Sequence, residues 1–321
     1  MSSLIVDRRG VHLALESGAI VFRENGERIG TVPLAPLTRV FLRGDVTLPA
    51  SLLGRLGEQG VGVVVLSGRQ GRPSLLLPRP HKDARRRVEQ IRRSLDAAFC
   101  LDLARALIDR KLARQIQAFE ALRDACPQAR YPLSRALRLL HEHRARLPGA
   151  EDRTQLRGIE GSAAACHFEG LRALVPEAWN FTHRNRRPPK DPFNALLSLT
   201  YTLAHAELAI ALAAAGFDPY VGFYHALDHG RESLATDLLE PLRPLCDRFC
   251  LQLVREQTLS ARDDFSVSEA GCLLGKSGRV RYYAAFEQYA QVLRPHIHDE
   301  VEALARCIEG GGMPSRDGSP A

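Results

Sequence analysis

The stretch GFDPYVGFYHALDHGRESLATDLLEPLRP, residues 216–244, joins a turn-rich segment to an amphipathic one. Two glycines, an aspartate and a proline lie within residues 216–222, a density of turn formers that ends one helix and starts a loop. This loop presents His225. Apolar residues then recur at helical spacing over 234–242, so a new helix is predicted to begin near Ser233.

Two acids, Asp237 and Glu240, lie three positions apart on the predicted helix and therefore share one of its faces. With His225 they supply the residue types of a divalent-cation site. Carboxylate oxygens suit Mg²⁺, and one nitrogen ligand shifts the preference toward Mn²⁺. An acid pair on a helix is also typical of an ordinary solvated face, and this stretch taken alone favours that simpler interpretation.

The composition indicates a folded chain whose partner is acidic. The 321 residues suffice for two domains, and the formal net charge is +7 with a sequence pI of about 9.2. Arginine supplies most of the positive charge, and its guanidinium binds phosphate in bidentate fashion, so nucleic acid is the expected partner. A GC-rich genome also enriches arginine without any function attached, and this alternative stays open.

The cysteines favour reduced thiols and a cytoplasmic location. Of seven cysteines only Cys246 and Cys250 are close in sequence, and one C-x3-C without a second pair is poor evidence for zinc. No apolar run is expected to reach the roughly 20 residues that span a bilayer, and the N-terminus lacks the apolar core of a signal peptide. We therefore expect no membrane partner.

Residues 1–78 are predicted to form a small, mostly β domain. Short apolar runs alternate with turn signals, among which Asn25-Gly26 is the strongest hairpin signal. A short helix is predicted over 52–59 and a buried strand over 61–66. The segment 79–83, rich in proline and basic residues, is the predicted linker.

Residues 84–308 are predicted to be helical, and the tail 309–321 to be disordered. One long helix is expected over 84–122, where neither proline nor glycine occurs and an apolar stripe includes Val88, Ile91 and Leu95. A strongly apolar helix over 195–215 is expected at the centre of the fold.

Glu160 lies in a run of small residues over 158–165, which permit close approach of another helix or of a ligand. A carboxylate in so tight a setting is not expected to be merely solvated. The proline-rich basic loop 180–194 is too polar for the core.

Four segments occur in a characteristic order: RGIEGSAA, RRPPKDPFNALLSLTYTLA, GFDPYVGFYH and RESLATDLLEPLRP. In this order they resemble the CRISPR-associated integrase and endonuclease family of spacer acquisition, and the resemblance spans nearly the whole chain. It implies an α+β fold with a small N-terminal β-sandwich-like domain and a larger all-helical catalytic domain. It also implies a role in antiviral defence, in which short double-stranded DNA fragments are inserted into a CRISPR array.

The resemblance carries over a set of catalytic metal ligands, which fall on Glu160, His225 and Glu240. Asp237 matches a nearby acid of the family and is a further candidate ligand. The implied cofactor is Mg²⁺ or Mn²⁺, with one well-defined ion. The implied reaction is attack of a 3′-hydroxyl on a phosphodiester of the CRISPR repeat, and water as the nucleophile gives nuclease activity. Many family members have tyrosine where this chain has His167.

The implied assembly is a homodimer, with two dimers bridged by a small companion protein. The candidate DNA contacts are Arg231, Arg184, Arg186, Arg187 and Lys190. Such phosphate contacts give affinity and a steep salt dependence without reading sequence.

Two alternatives from other classes stay open. One is a catalytically silent DNA-binding scaffold of the same adaptation complex. The other is an unrelated metal-dependent hydrolase of small phosphates, which the basic composition disfavours.

Overall fold

A computed structural model describes residues 2–68, 72–78, 82, 84–186, 188–225 and 229–310. The strands are β1 Ser2–Asp7, β2 Val11–Glu16, β3 Ala19–Glu24, β4 Glu27–Pro33, β5 Leu37–Arg43, β6 Val46–Thr47, β7 Gly62–Ser67, β8 Arg72–Leu76, β9 Phe265–Ser268 and β10 Gly271–Leu274. The helices are α1 Ala50–Glu58, α2 Arg85–Ser94, α3 Ala97–Ala125, α4 Arg130–Arg146, α5 Arg153–Arg172, α6 Pro192–Ala214, α7 Ser233–Leu239, α8 Arg243–Arg255 and α9 Lys276–Ile308. Short 3-10 helices span Pro127–Ala129, Leu147–Gly149, Glu177–Trp179 and Glu240–Leu242.

The N-terminal part contains two four-stranded sheets. In the first, ordered β1-β5-β7-β8, the first three strands are parallel and β8 is antiparallel to β7. The second is ordered β4-β3-β2-β6, and in it β3 pairs antiparallel with both β2 and β4. Asn25 and Gly26 both have positive φ between β3 and β4, which confirms the predicted hairpin.

One apolar cluster takes buried residues from both sheets and from α1, among them Val11, Ile20, Val40 and Leu52. The N-terminal β structure is therefore confirmed, while sandwich-like packing of the two sheets stays a prediction. The linker at 79–83 stays a prediction too, because most of that segment lies outside the described residues. The same holds for the disordered tail, of which only 309–310 are described.

The predicted single helix over 84–122 is wrong in one respect, because α2 ends at Ser94 and α3 begins at Ala97. Asp96 caps α3, and its carboxylate accepts hydrogen bonds from the backbone N–H groups of Ala98 and Phe99 at 3.0 and 3.1 Å. The apolar period continues across the break and so conceals it. The first part of the stripe is consequently exposed: Leu95 is 82% exposed.

The C-terminal part is mainly helical, but it is not all-helical, because β9 and β10 form an antiparallel hairpin. Strands of four residues are too short to show a clear alternation, which explains why the sequence pattern missed them. The hairpin packs on the proline-rich loop: the backbone N–H of Cys272 donates to the carbonyl of Pro189 at 2.7 Å. Gly271 has φ of +112°, and a Cβ there would lie 2.6 Å from Cβ of Pro188.

Helix α6 lies in the core, as predicted. By length and composition Pro192–Ala214 could nevertheless cross a membrane, so the expectation that no apolar run is long enough is wrong. Inside the fold, 72% of the most apolar 18-residue stretch of this helix is buried. Helices α7, α8 and α9 pack around it.

A buried ion cluster joins the N-terminal sheets to the helices. Glu207 of α6, 1% exposed, pairs with Arg39 of β5 at 2.9 Å and with Arg294 of α9 at 2.8 Å. One carboxylate thus holds together three elements from both parts of the chain.

We expect Glu207→Ala to lower the free energy of unfolding by about 3 kcal/mol, because it leaves Arg39 and Arg294 facing each other without their counter-charge. Urea unfolding followed by circular dichroism measures this. Glu142→Ala is the matched control, since Glu142 forms an exposed pair with Arg138, and it should change stability by less than about 0.5 kcal/mol. Equal effects of the two substitutions would contradict the importance of the buried cluster.

Candidate active site

Two carboxylates from distant parts of the chain converge on one ammonium group. Nζ of Lys111, on α3, lies 2.5 Å from Oε1 of Glu160, on α5, and 2.6 Å from Oε2 of Glu240, at the start of a 3-10 helix. Lys111 and Glu240 are buried, and Glu160 is partly exposed. The two acids therefore already share a single cation.

The second oxygen of each carboxylate is held from another side. The Tyr224 hydroxyl donates to Oε2 of Glu160 at 2.5 Å, and Nε of Arg243 donates to Oε1 of Glu240 at 2.8 Å. Each glutamate is thereby fixed in the orientation that turns its remaining oxygen toward Lys111.

The charge states follow from these contacts. Burial opposes ionisation of Glu240, but Arg243 and Lys111 outweigh it and hold the pKa of Glu240 well below its usual range. Burial likewise works against charge on Lys111, yet Glu240 and Glu160 together raise its pKa. Burial and then Glu160 raise the pKa of Tyr224. At neutral pH the site therefore contains an ionised Glu240, a charged Lys111 and a protonated Tyr224 that donates.

Asp237 organises the loop that carries His225. Its Oδ2 accepts from the backbone N–H groups of Phe223 and Tyr224 at 2.7 and 2.9 Å. Its Oδ1 accepts from the backbone N–H of His225 at 2.8 Å and lies 2.7 Å from Nδ1 of the same residue. A carboxylate oxygen accepts hydrogen bonds, so this contact favours the tautomer with the proton on Nδ1 and the lone pair on Nε2.

The loop is also held from two further sides. A Cβ at Gly222 would lie 2.8 Å from Oδ2 of Asp237, so no side chain fits there. Buried Gln90 of α2 donates to the carbonyls of Asp218 and Val221 at 2.9 and 2.8 Å and accepts from the N–H of Asp218. The backbone before His225 is therefore fixed independently of any ligand.

Of the two predicted acids, Asp237 lies within α7 and Glu240 follows it. Helix α7 begins at Ser233, as predicted, but ends at Leu239, so Glu240 lies one residue beyond it. Asp237 is 0% and Glu240 4% exposed, which excludes the solvated-face interpretation. Both oxygens of Asp237 serve the His225 loop. Within the described ranges, no group of three or more His, Cys, Asp or Glu side chains is already arranged around a metal position, so the ligand set stays a prediction.

The candidate DNA contacts separate into two kinds. Arg184 is half-buried; it donates to Oδ1 of Asn194 at 2.7 Å and to Oγ of Ser198 at 3.2 Å, and lies 5.5 Å from the ring centre of Tyr201. Burial lowers its pKa. These contacts indicate a structural role, shared by Asn194, which donates to Asp191, the residue that caps α6.

Arg186, Lys190 and Arg231 are exposed, as a phosphate contact requires. Arg187 lies outside the described residues.

His167 belongs to a buried network. Its Nε2 lies 2.9 Å from Oδ2 of Asp247, and its ring stacks on Phe119 at 4.9 Å. Asp247 also accepts from the hydroxyl of Tyr201. His167 therefore supports the packing between α5 and α8.

Four residues of the site were not predicted from the sequence: Lys111, Arg243, Arg157 and Gln90. Arg157 lies one turn before Glu160 and donates to the carbonyl of Tyr224 at 3.2 Å. Arg157 and Arg243 both lie three positions from a predicted ligand, a spacing that could have revealed them. Lys111 and Gln90 approach from remote helices, and no local pattern reveals them.

The fold and this site define an α+β protein in which one buried and one partly exposed carboxylate share a cation beside a fixed histidine loop. The family model described as "CRISPR associated protein Cas1" matches residues 4–288, and the chain belongs to this family. It is 36% identical over 312 residues to the CRISPR-associated endonuclease Cas1 1 of Thermodesulfovibrio yellowstonii, covering 96% of this chain and 97% of that protein.

Solved structures share the fold. A casposase bound to its integration product superposes with a TM-score of 0.86 at 20% identity, covering 99% of this chain and 94% of the casposase. A chain of a Cas6-RT-Cas1–Cas2 complex superposes with a TM-score of 0.78 at 23% identity, covering 96% of this chain and 35% of that one.

We expect Asp237→Asn to loosen the His225 loop. One carboxylate oxygen becomes an NH₂ group, which cannot accept the backbone hydrogen bonds that this oxygen accepts in the wild type. Amide hydrogen exchange of Phe223, Tyr224 and His225 should accelerate by about tenfold or more, the loss expected for hydrogen bonds to a charged acceptor. Exchange followed by mass spectrometry on a peptide covering 216–232 measures this. Asp263→Asn, at an exposed aspartate, is the control and should leave the loop unchanged. Unchanged protection in Asp237→Asn would contradict the organising role.

Proposed function

We propose that the protein is a divalent-metal-dependent DNA integrase and endonuclease of CRISPR adaptation. It joins the 3′-hydroxyl of a short DNA fragment to a phosphodiester of the CRISPR repeat, and with water it hydrolyses DNA. One observation carries this proposal: in a chain of the Cas1 family, Glu160 and Glu240 converge on one cation beside the loop of His225.

The donor set fits a divalent cation. One oxygen of Glu160 and one of Glu240 already lie within 2.6 Å of a common positive charge, and the tautomer of His225 directs a lone pair to Nε2. We propose that these three residues hold Mg²⁺ or Mn²⁺. Such an ion, when bound, polarises the phosphodiester and lowers the pKa of the attacking hydroxyl or water.

The surrounding residues position this set. Tyr224 fixes Glu160 by its hydroxyl, and the neighbouring backbone N–H groups attach the same loop to Asp237. Asp237 thereby sets the orientation and tautomer of His225 as a positioning residue, not as a direct ligand. Arg243 keeps Glu240 ionised. The ligand orientations are consequently established before DNA arrives.

DNA is held by positive side chains outside this centre. Arg186 and Lys190, on the proline-rich loop, and Arg231, just before α7, are the proposed phosphate contacts. Arg184 acts inside the protein instead. These contacts align the backbone without reading its sequence.

The proposed assembly is a homodimer, with a small companion protein that bridges two dimers, acting in the cytoplasm. Support comes from family membership and from the fold shared with a chain of a Cas1–Cas2 complex.

We expect Glu160→Ala, His225→Ala and Glu240→Ala each to reduce strand transfer by at least about a hundredfold, since each removes a proposed ligand of the cation that would stabilise charge at the reacting phosphate. The assay joins a short duplex with free 3′-hydroxyls to a supercoiled plasmid carrying a CRISPR repeat, in Mg²⁺, Mn²⁺ or EDTA. DNA binding should persist, and Glu142→Ala should retain full activity.

Two results would contradict this proposal. Full activity of any two of the three variants would show that the site is wrong. DNA binding without metal-dependent joining, even with the companion protein added, would favour the scaffold.

We expect the double variant Arg186→Ala, Lys190→Ala to bind DNA more weakly and with a shallower salt dependence. The slope of log affinity against log salt should fall by about 2, because each phosphate contact contributes about 0.9. Fluorescence anisotropy over a salt series measures this. Arg55→Ala, on α1 of the N-terminal part, should leave the slope unchanged. An unchanged slope in the double variant would show that these residues do not contact phosphate.

A further inference from the structure

The position between Glu160 and Glu240 belongs to a side chain of the protein itself. Nζ of Lys111 reaches one oxygen of each acid, at 2.5 and 2.6 Å, while Tyr224 and Arg243 hold the opposite oxygens. The ammonium therefore occupies the position between the two carboxylates, where it contacts one oxygen of each. A divalent ion that binds both glutamates needs the same two oxygens.

The charges of the cluster are balanced without a divalent ion. Glu160 and Glu240 provide two negative charges, and Lys111 and Arg243 provide two positive ones. Adding a divalent cation while Lys111 stays in place would put three cationic groups around two carboxylates in a largely buried site, where like charges repel strongly. Withdrawal of the ammonium removes both the excess charge and the competition for oxygen.

The lysine is suited to such an exchange. Its ammonium is a point charge at the end of a flexible four-carbon stem, which is attached to α3. Arg243, in contrast, grips the outer oxygen of Glu240 and stacks over the ring of Tyr201 at 4.7 Å. Arg243 can therefore remain in place when a metal ion replaces the ammonium of Lys111.

We propose that Lys111 is an internal counter-ion that occupies the metal position in the metal-free enzyme, and that divalent cation binding displaces it. The inference rests on the proposed function, in which Glu160 and Glu240 hold the metal. Metal binding is then an exchange of one cation for another. The lysine lowers the affinity for metal and stabilises the acid pair in its absence.

The test compares Mn²⁺ binding to the full-length protein and to its variants, without DNA, by isothermal titration calorimetry and by the electron paramagnetic resonance of free Mn²⁺. Lys111→Met keeps most of the stem and removes the charge, and it should bind Mn²⁺ about tenfold more tightly or better, as when a competing state that is about 90% populated is removed. Its melting temperature should fall in EDTA and recover with Mn²⁺ by a larger shift than the wild type shows.

A second substitution keeps the test valid should Lys111→Met fold poorly. Lys111→Arg retains the charge and can bind the two carboxylates with two N–H groups, so Mn²⁺ affinity should fall below that of the wild type. Arg243→Met is the matched control, because it removes a cation from the same Glu240 at the oxygen that faces away from the shared position. It should not tighten Mn²⁺ binding, because it frees neither of the two oxygens that contact Lys111 and it removes the group that orients Glu240.

Three results would overturn the proposal, and they separate its failure from that of the proposed function. Equal tightening by Lys111→Met and Arg243→Met would show a general charge effect without competition. Affinity unchanged in both Lys111 variants, with metal-dependent joining intact in the wild type, would reject the exchange and leave the proposed function standing. Mn²⁺ binding that survives Glu160→Ala and Glu240→Ala would place the metal elsewhere and reject both.

Discussion

Two carboxylates held close together, one buried and one partly exposed, are the constraint on which this site depends. Glu160 and Glu240 converge from α5 and from the turn after α7, and without compensation their repulsion in a medium of low polarity would separate those elements. Lys111 supplies the compensation from α3. The mutual placement of the three elements is therefore an electrostatic requirement as much as a matter of apolar packing.

Local signals in the sequence predicted much of the fold. The hairpin at Asn25-Gly26, the core helix α6 and the helix start at Ser233 all depend on residues within a few positions of each other. The break at Asp96 did not show, because the helical period of apolar residues continues through it even though the residues before it are exposed. Four-residue strands such as β9 carry too little pattern to be recognised.

The site was predictable only in part. Glu160, His225 and Glu240 were selected by resemblance, since spacing alone placed the last on an ordinary solvated helix face. Burial of that acid, and its bond to a lysine more than a hundred positions earlier, depend on how helices pack, which no local pattern encodes. Asp237 illustrates the same limit: its residue type suggests a ligand, while its surroundings show an acceptor for backbone N–H groups.

Gln90 connects the loop of His225 to helix α2, which carries none of the candidate metal ligands. Because its side chain bonds the backbone of Asp218 and Val221 on both donor and acceptor sides, α2 and the loop form one mechanical unit. Helix α2 is also the first helix after the predicted linker, and it turns the apolar side chains of Val88 and Ile91 to the surface. A displacement of that surface helix therefore reaches the loop directly, through three hydrogen bonds made by one side chain.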